Sequence, residues 1–164
     1  MNTVAQTINV KRVFAGGALA GLIIYVIDGI VNGAILNAQF QSWASEMGEH
    51  IHPPTFQVAL GLWLVMSWLL GTAGMWVVAG LVARGHTRMS AAWRAGILVC
   101  VIAKAAVALD FIALGLLPPS LVAGQLIAGL VGIVVGICGG AVIYREGPSA
   151  ETRAETRNSA EVTR

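Results

Sequence analysis

The sequence predicts an all-α integral membrane protein, a bundle of four transmembrane helices, and three observations lead to this fold class. Of its 164 residues, 57% are hydrophobic and only 11% are charged, whereas soluble domains carry about a quarter charged residues. The apolar residues form four long stretches, and nearly all basic residues lie outside them. This composition excludes an ordinary soluble domain, and it gives no support to nucleic-acid binding because no basic cluster is interleaved with aromatics.

The four apolar stretches are expected to be helices that cross the bilayer. They cover about residues 13–36, 56–83, 95–117 and 121–144, and a helix of roughly 20 residues crosses ~30 Å of hydrocarbon. Continuous apolar runs lack the alternation of barrel strands. We therefore expect one transmembrane domain over residues 1–146. Residues 147–164 are polar, with balanced Glu and Arg, and are expected to form a disordered tail.

The basic residues predict the orientation. Nine of the ten flank the stretches on one side, and the tenth, Lys104, lies within the third stretch. The two opposite loops, 37–55 and 118–120, contain no Lys or Arg. By the positive-inside rule both termini are cytoplasmic, which predicts a multi-pass membrane protein with both ends on the same side.

The first outer loop contains a short amphipathic pattern. Phe40, Trp43, Ala44 and Met47 recur at the spacing of one helical face. This pattern predicts a short helix lying on the outer membrane surface with its apolar side towards the lipid.

The same loop holds the only weak candidates for a metal site, which are Glu49, His50 and His52. Two histidines two positions apart suit an extended chain, and a dedicated site needs more ligands. We predict no metal site and no cofactor. The sequence also lacks the hydrolase, metalloprotease and phosphate-loop motifs, so we expect no enzyme activity.

Asp28 is the main functional lead, because a carboxylate inside a membrane helix normally faces the bundle interior or a water-filled cavity. Tyr25 and Asn32 lie on the same helical stripe. Asp110 follows Arg94 by as many residues as Asp28 follows Arg12, so the two carboxylates are expected at similar depth. Together with Lys104 these residues form a predicted intramembrane polar site.

The partner of Lys104 stays open at this level. An ion pair with Asp110 or with Asp28 would lower the cost of burying the charge. Without either, the lysine would extend towards the inner interface. The site could carry protons or a small polar solute, or it could hold helices together.

The fourth stretch carries a ridge of small residues at every fourth position, which are Gly124, Ala128, Gly132, Gly136 and Gly140. Such ridges allow close helix packing, either within one chain or between chains. The pairs Gly17–Gly21 and Gly29–Gly33 of the first stretch are candidate partners for the ridge.

The first stretch and its loop resemble a group of small bacterial four-span membrane proteins of unknown function. The residues that carry the resemblance are Arg12, Gly16, Gly17, Gly21, Asp28, Asn32, Gly33 and Trp43. Members of that group carry Glu where this chain has Asp28, which keeps the acid but shortens the side chain. The resemblance implies the architecture and a bacterial inner membrane, with both termini cytoplasmic, and supplies no activity.

Two functions follow as hypotheses. The leading one is a non-enzymatic membrane protein that acts by helix packing, either with itself or as an accessory subunit of a membrane complex, through the fourth helix. The alternative is an oligomeric proton-coupled transporter or ion path that uses Asp28 and Asp110.

Overall fold

A computed structural model describes residues 8–47 and 55–144, and the elements within these ranges are helical. The α-helices are α1 (Val10–Ile30), α2 (Asn37–Met47), α3 (Phe56–Val82), α4 (Arg88–Cys100), α5 (Ala106–Ala113) and α6 (Pro119–Ile143). Two π-helical segments, Val31–Ile35 and Val101–Ala105, continue α1 and join α4 to α5. Residues 147–164 and the part of the first outer loop that holds Glu49, His50 and His52 lie outside the described residues.

Within the described residues, four helices are long and apolar enough to cross a membrane, which gives a multi-pass, all-α membrane protein. We name them span 1 (Val10–Ile35), span 2 (Gln57–Val82), span 3 (Arg88–Ala113) and span 4 (Pro119–Ile143).

Span 3 begins seven residues before the apolar stretch that predicts it, at 88 rather than 95. Thr87 caps this helix, since its Oγ1 accepts a hydrogen bond from the backbone N–H of Ser90 at 3.4 Å. A polar first turn is stable as a helix once it is capped, whereas hydropathy registers only the apolar part. The other end falls at Ala113, and Gly115 follows with φ +65°, a left-handed conformation that suits glycine after a helix.

The four spans form a bundle in which spans 1 and 3 lie diagonally opposite each other. Span 1 packs along spans 2 and 4, and the first half of span 3 packs against the same two helices. One half of the bundle is tightly packed, and we call it the closed half. It holds the start of spans 1 and 3 and the end of spans 2 and 4, and its fully buried side chains include Val13, Ile24, Met75, Val78, Ile133, Ile137 and Tyr144.

Small residues allow the close approach of span 1 to its neighbours. A Cβ placed on Gly71 of span 2 would lie 2.5 Å from the backbone oxygen of Gly17 and 2.5 Å from the backbone nitrogen of Gly21. A Cβ on Gly140 of span 4 would collide with the backbone oxygen of Gly16. Span 1 is therefore held between two glycine contacts.

The ridge of span 4 is covered by span 1 of the same chain. Gly136 faces Ala20 and Ile24, and Gly124 faces Leu36. The expected partners of the ridge are wrong: Gly17 and Gly21 pack on span 2, a Cβ on Gly29 or Gly33 would meet no atom within 4 Å, and Gly16 instead meets Gly140. The helical period explains this: Gly16 and Gly17 are about 100° apart around the axis and so face different neighbours.

The opposite half of the bundle, which we call the open half, is loosely packed. After its π segment, span 3 packs closely only against span 4 and no longer packs along span 2. A Cβ added at Gly29, Gly33 or Gly61 would meet no atom within 4 Å. The helix α2 contacts the bundle mainly at the first π segment, and its Phe40 and Trp43 are half-buried.

Candidate functional site

The open half contains a cavity of about 320 Å³ that all four spans line. Span 1 contributes Tyr25, Asp28 and Asn32, and span 2 contributes Trp63, Met66, Ser67 and Leu70. Span 3 contributes Ala103, Lys104, Val107, Ala108 and Phe111, and span 4 contributes Val122, Gln125 and Leu126. The wall is mainly apolar with a few polar groups, which is the usual composition of a small-molecule site.

An ion pair crosses the bundle at this cavity. Lys104 Nζ donates to Asp28 Oδ2 at 3.2 Å, and the side chains are 27% and 18% exposed. The pair joins spans 1 and 3, which lie diagonally across the bundle. The sequence leaves the partner of Lys104 open, and in the structure that partner is Asp28.

Two glycines of span 4 make room for this pair. A Cβ on Gly129 would lie 3.0–3.1 Å from the aliphatic carbons of Lys104, and a Cβ on Gly132 would lie 3.4 Å from Asp28 Oδ1. The lysine stem and the carboxylate therefore both rest on the backbone of span 4. Glycine at these positions lets two side chains from different helices meet.

Both π segments lie next to the ion pair. Lys104 is within Val101–Ala105, and Asp28 precedes Val31–Ile35 by one helical turn. The wider turn is seen in the backbone bond from Leu36 N to Val31 O at 2.9 Å, which spans five residues. Single π turns inside α-helices are frequent at functional sites.

Two acceptor atoms of residues that line the cavity have no hydrogen-bond donor among the described residues. Asp28 Oδ1 and Asn32 Oδ1 are buried and unpaired. The amide of Asn32 is held in place, because its Nδ2 donates to the backbone oxygen of Asp28 at 2.8 Å. Buried polar atoms normally have partners, so two unpaired acceptors on residues that line one cavity mark this wall as incompletely paired.

The structure brings together four of the five residues of the predicted polar site. Tyr25, Asp28, Asn32 and Lys104 line the cavity, and Asp110 does not. The Asp110 side chain is exposed, and it lies on the part of span 3 that does not pack along span 2. Similar depth along two helices does not place two carboxylates on facing sides.

Several wall residues are not apparent from the sequence. Ser67 and Gln125 are single polar residues in apolar helices, which is a weak signal, and Trp63 and Met66 resemble lipid-facing residues. Gly129 lies outside the every-fourth-residue ridge.

The cavity presents groups that can bind a ligand. It offers one carboxylate, one ammonium group, two amides and two hydroxyl groups beside aromatic and aliphatic walls. In the described part of the chain, no three His, Cys, Asp or Glu side chains gather as a metal ion would require.

Comparison of the chain with protein-family models, curated proteins and solved structures gives no match.

Proposed function

We propose that this chain is a non-enzymatic, solute-binding membrane protein whose open-half cavity takes up a small polar solute. The observation that carries the proposal is the Asp28–Lys104 ion pair beside the unpaired acceptors of Asp28 and Asn32, at the wall of a cavity lined by all four spans. Ionisable groups within membrane spans are costly, and they mark solute and ion pathways.

We also propose that the cavity opens on the outer side of a bacterial inner membrane. Lys11, Arg12, Arg84, Arg88 and Arg94 all lie towards the end of the closed half. The positive-inside rule assigns that end, and both termini, to the cytoplasm. The amphipathic α2 would then lie on the outer surface, which agrees with its scarce contacts to the spans.

Assembly through the ridge of span 4 has less support than solute binding. Span 1 covers the ridge in the same chain, so a homo-oligomer or a membrane partner would have to use the lipid-facing side of span 4, with Ile127, Val131 and Val135. Likewise, proton-coupled transport would depend on Asp28 and Lys104, since Asp110 does not line the cavity.

The proposal is tested by thermal unfolding of the purified chain in detergent with a library of small polar solutes. We expect at least one solute to raise the Tm of the wild type in a saturable manner, because a ligand that binds only the folded state stabilises it. Ala103→Phe, which places a ring in the cavity, should abolish this shift.

Ala106→Phe is the matched control, since Ala106 is an exposed position three residues further along span 3. It should keep the full solute-induced shift. A library that produces no saturable shift in the wild type would overturn the proposal, and so would an unchanged shift in Ala103→Phe.

A further inference from the structure

The charge balance of the cavity restricts its ligand. Asp28 and Lys104 are the charged members of its wall, so the wall as described carries no net charge. A ligand with a single charge would leave one charge without a counterion inside the spans, which is costly in a medium of low dielectric constant. A ligand with one charge of each sign preserves the balance.

The donors and acceptors are also separated in space. The unpaired acceptors, Asp28 Oδ1 and Asn32 Oδ1, both belong to span 1. The ammonium group of Lys104 comes from span 3, and it has three N–H donors, one of which is directed at Asp28 Oδ2. Of the cavity-lining residues, span 1 therefore carries the carboxylate and an amide acceptor, and span 3 carries the ammonium donor.

The size and the remaining wall set the scale of the ligand. A volume of about 320 Å³ lies at the lower end of ligand sites, which run from about 300 to 1,000 Å³. The side chains of Trp63, Met66 and Phe111 offer contact to a short apolar group.

We infer that the cavity binds a small zwitterion of the size of a short amino acid, with its ammonium group at Asp28 and Asn32 and its carboxylate at Lys104. This inference rests on the proposed solute binding and names the class of solute. The zwitterion enters between the two charged side chains and replaces one ion pair by two.

Isothermal titration of the full chain in detergent with a matched ligand set tests this inference. The zwitterions are β-alanine and L-alanine. Analogues with the β-alanine skeleton carry a cation only (β-alaninamide), an anion only (butyrate) or no charge (butyramide). We expect at least one zwitterion to bind about tenfold or more tightly than every analogue.

Two variants should reverse the preference. Lys104→Met leaves a lone carboxylate and should favour β-alaninamide over the zwitterions. Asp28→Asn leaves a lone ammonium group and should favour butyrate. Asp110→Asn changes a carboxylate outside the cavity wall and should keep the wild-type order.

The outcomes separate the inference from the proposed function. If an analogue binds the wild type as tightly as both zwitterions, the inference is wrong and solute binding stands. If neither zwitterion saturates while another library solute does, the inference again fails alone. If no solute of any class binds, both proposals fail. The wild-type series decides these cases even where a variant does not fold.

Discussion

At the residue scale, the meeting of Asp28 and Lys104 organises the open half. Each side chain alone would be an isolated charge in a membrane helix, and the 3.2 Å contact between them offsets much of that cost. The contact is possible because Gly129 and Gly132 have no side chains, which leaves room for Lys104 and Asp28 against the backbone of span 4. The pair also has a structural effect, since it joins the two diagonal spans.

The ion pair should be visible as coupling between its two partners. Asp28→Asn or Lys104→Met alone leaves one charge unpaired, so we expect each single variant to lose about 2 kcal/mol of stability. Removal of one partner from a fully buried pair costs roughly 3–5 kcal/mol, and partial exposure lowers the cost here. The double variant has no unpaired charge and should be more stable than either single variant.

Thermal unfolding of the wild type, the two single variants and the double variant in one detergent measures these stability differences. Asp110→Asn is the reference for loss of a carboxylate outside the cavity. Additive losses in the double variant would show that the two side chains do not interact.

The stripe of Tyr25, Asp28 and Asn32 could be predicted because helical periodicity alone places them on one side of span 1. The partner of Asp28 could not be predicted from the sequence. Which of two carboxylates a lysine meets depends on how three helices pack and on a π segment that changes the register of span 3.

At the element scale, the glycines of spans 1, 2 and 4 determine how closely the helices approach. Gly16 lies against Gly140, and Gly71 lies against the backbone of Gly17 and Gly21. Membrane helices gain their association energy from such close packing rather than from the hydrophobic effect. The ridge of span 4 was evident in the sequence, but its partner was not, since the same spacing serves contacts within a chain and between chains.

Substitution at one of these contacts should separate the helices. In Gly140→Ala the added methyl group meets the backbone of Gly16, which cannot rotate away. We expect a loss of about 1–3 kcal/mol, the usual cost of overpacking, measured as a lower Tm in detergent.

Gly80→Ala is the control, because a methyl group there meets no atom within 4 Å. Alanine favours a helix over glycine by about 1 kcal/mol, so this variant should be as stable as the wild type or slightly more stable. Equal losses in both variants would contradict a role for close packing at Gly140.

At the scale of the whole molecule, the two halves of the bundle differ in packing. The closed half contains the cluster of buried apolar residues, and Arg88 Nη1 donates to the backbone oxygen of Tyr144 at 3.1 Å, which ties the start of span 3 to the end of span 4. The open half has the cavity and the ion pair. A solute that reaches the site from the open half would therefore meet a closed barrier beyond it.

The proposed orientation can be tested by cysteine labelling in intact cells. Both native cysteines, Cys100 and Cys138, lie within spans and are replaced by alanine for this purpose. A membrane-impermeant maleimide should label Ser42→Cys in α2 directly, and it should label Ala83→Cys, at the end of span 2, only after the membrane is permeabilised. The reverse pattern would place the cavity on the cytoplasmic side.

The sequence by itself determined that this chain has four apolar helices and that Asp28 shares a helical side with Tyr25 and Asn32. Hydropathy and helical period are local properties, and they can be read from the chain without knowledge of its neighbours. Only the tertiary structure decided that Lys104 pairs with Asp28, that Asp110 stays outside the cavity and that span 1 covers the glycine ridge. These outcomes depend on which helices are adjacent and how closely they approach, and contacts between residues as far apart as 28 and 104 leave no local pattern in the sequence.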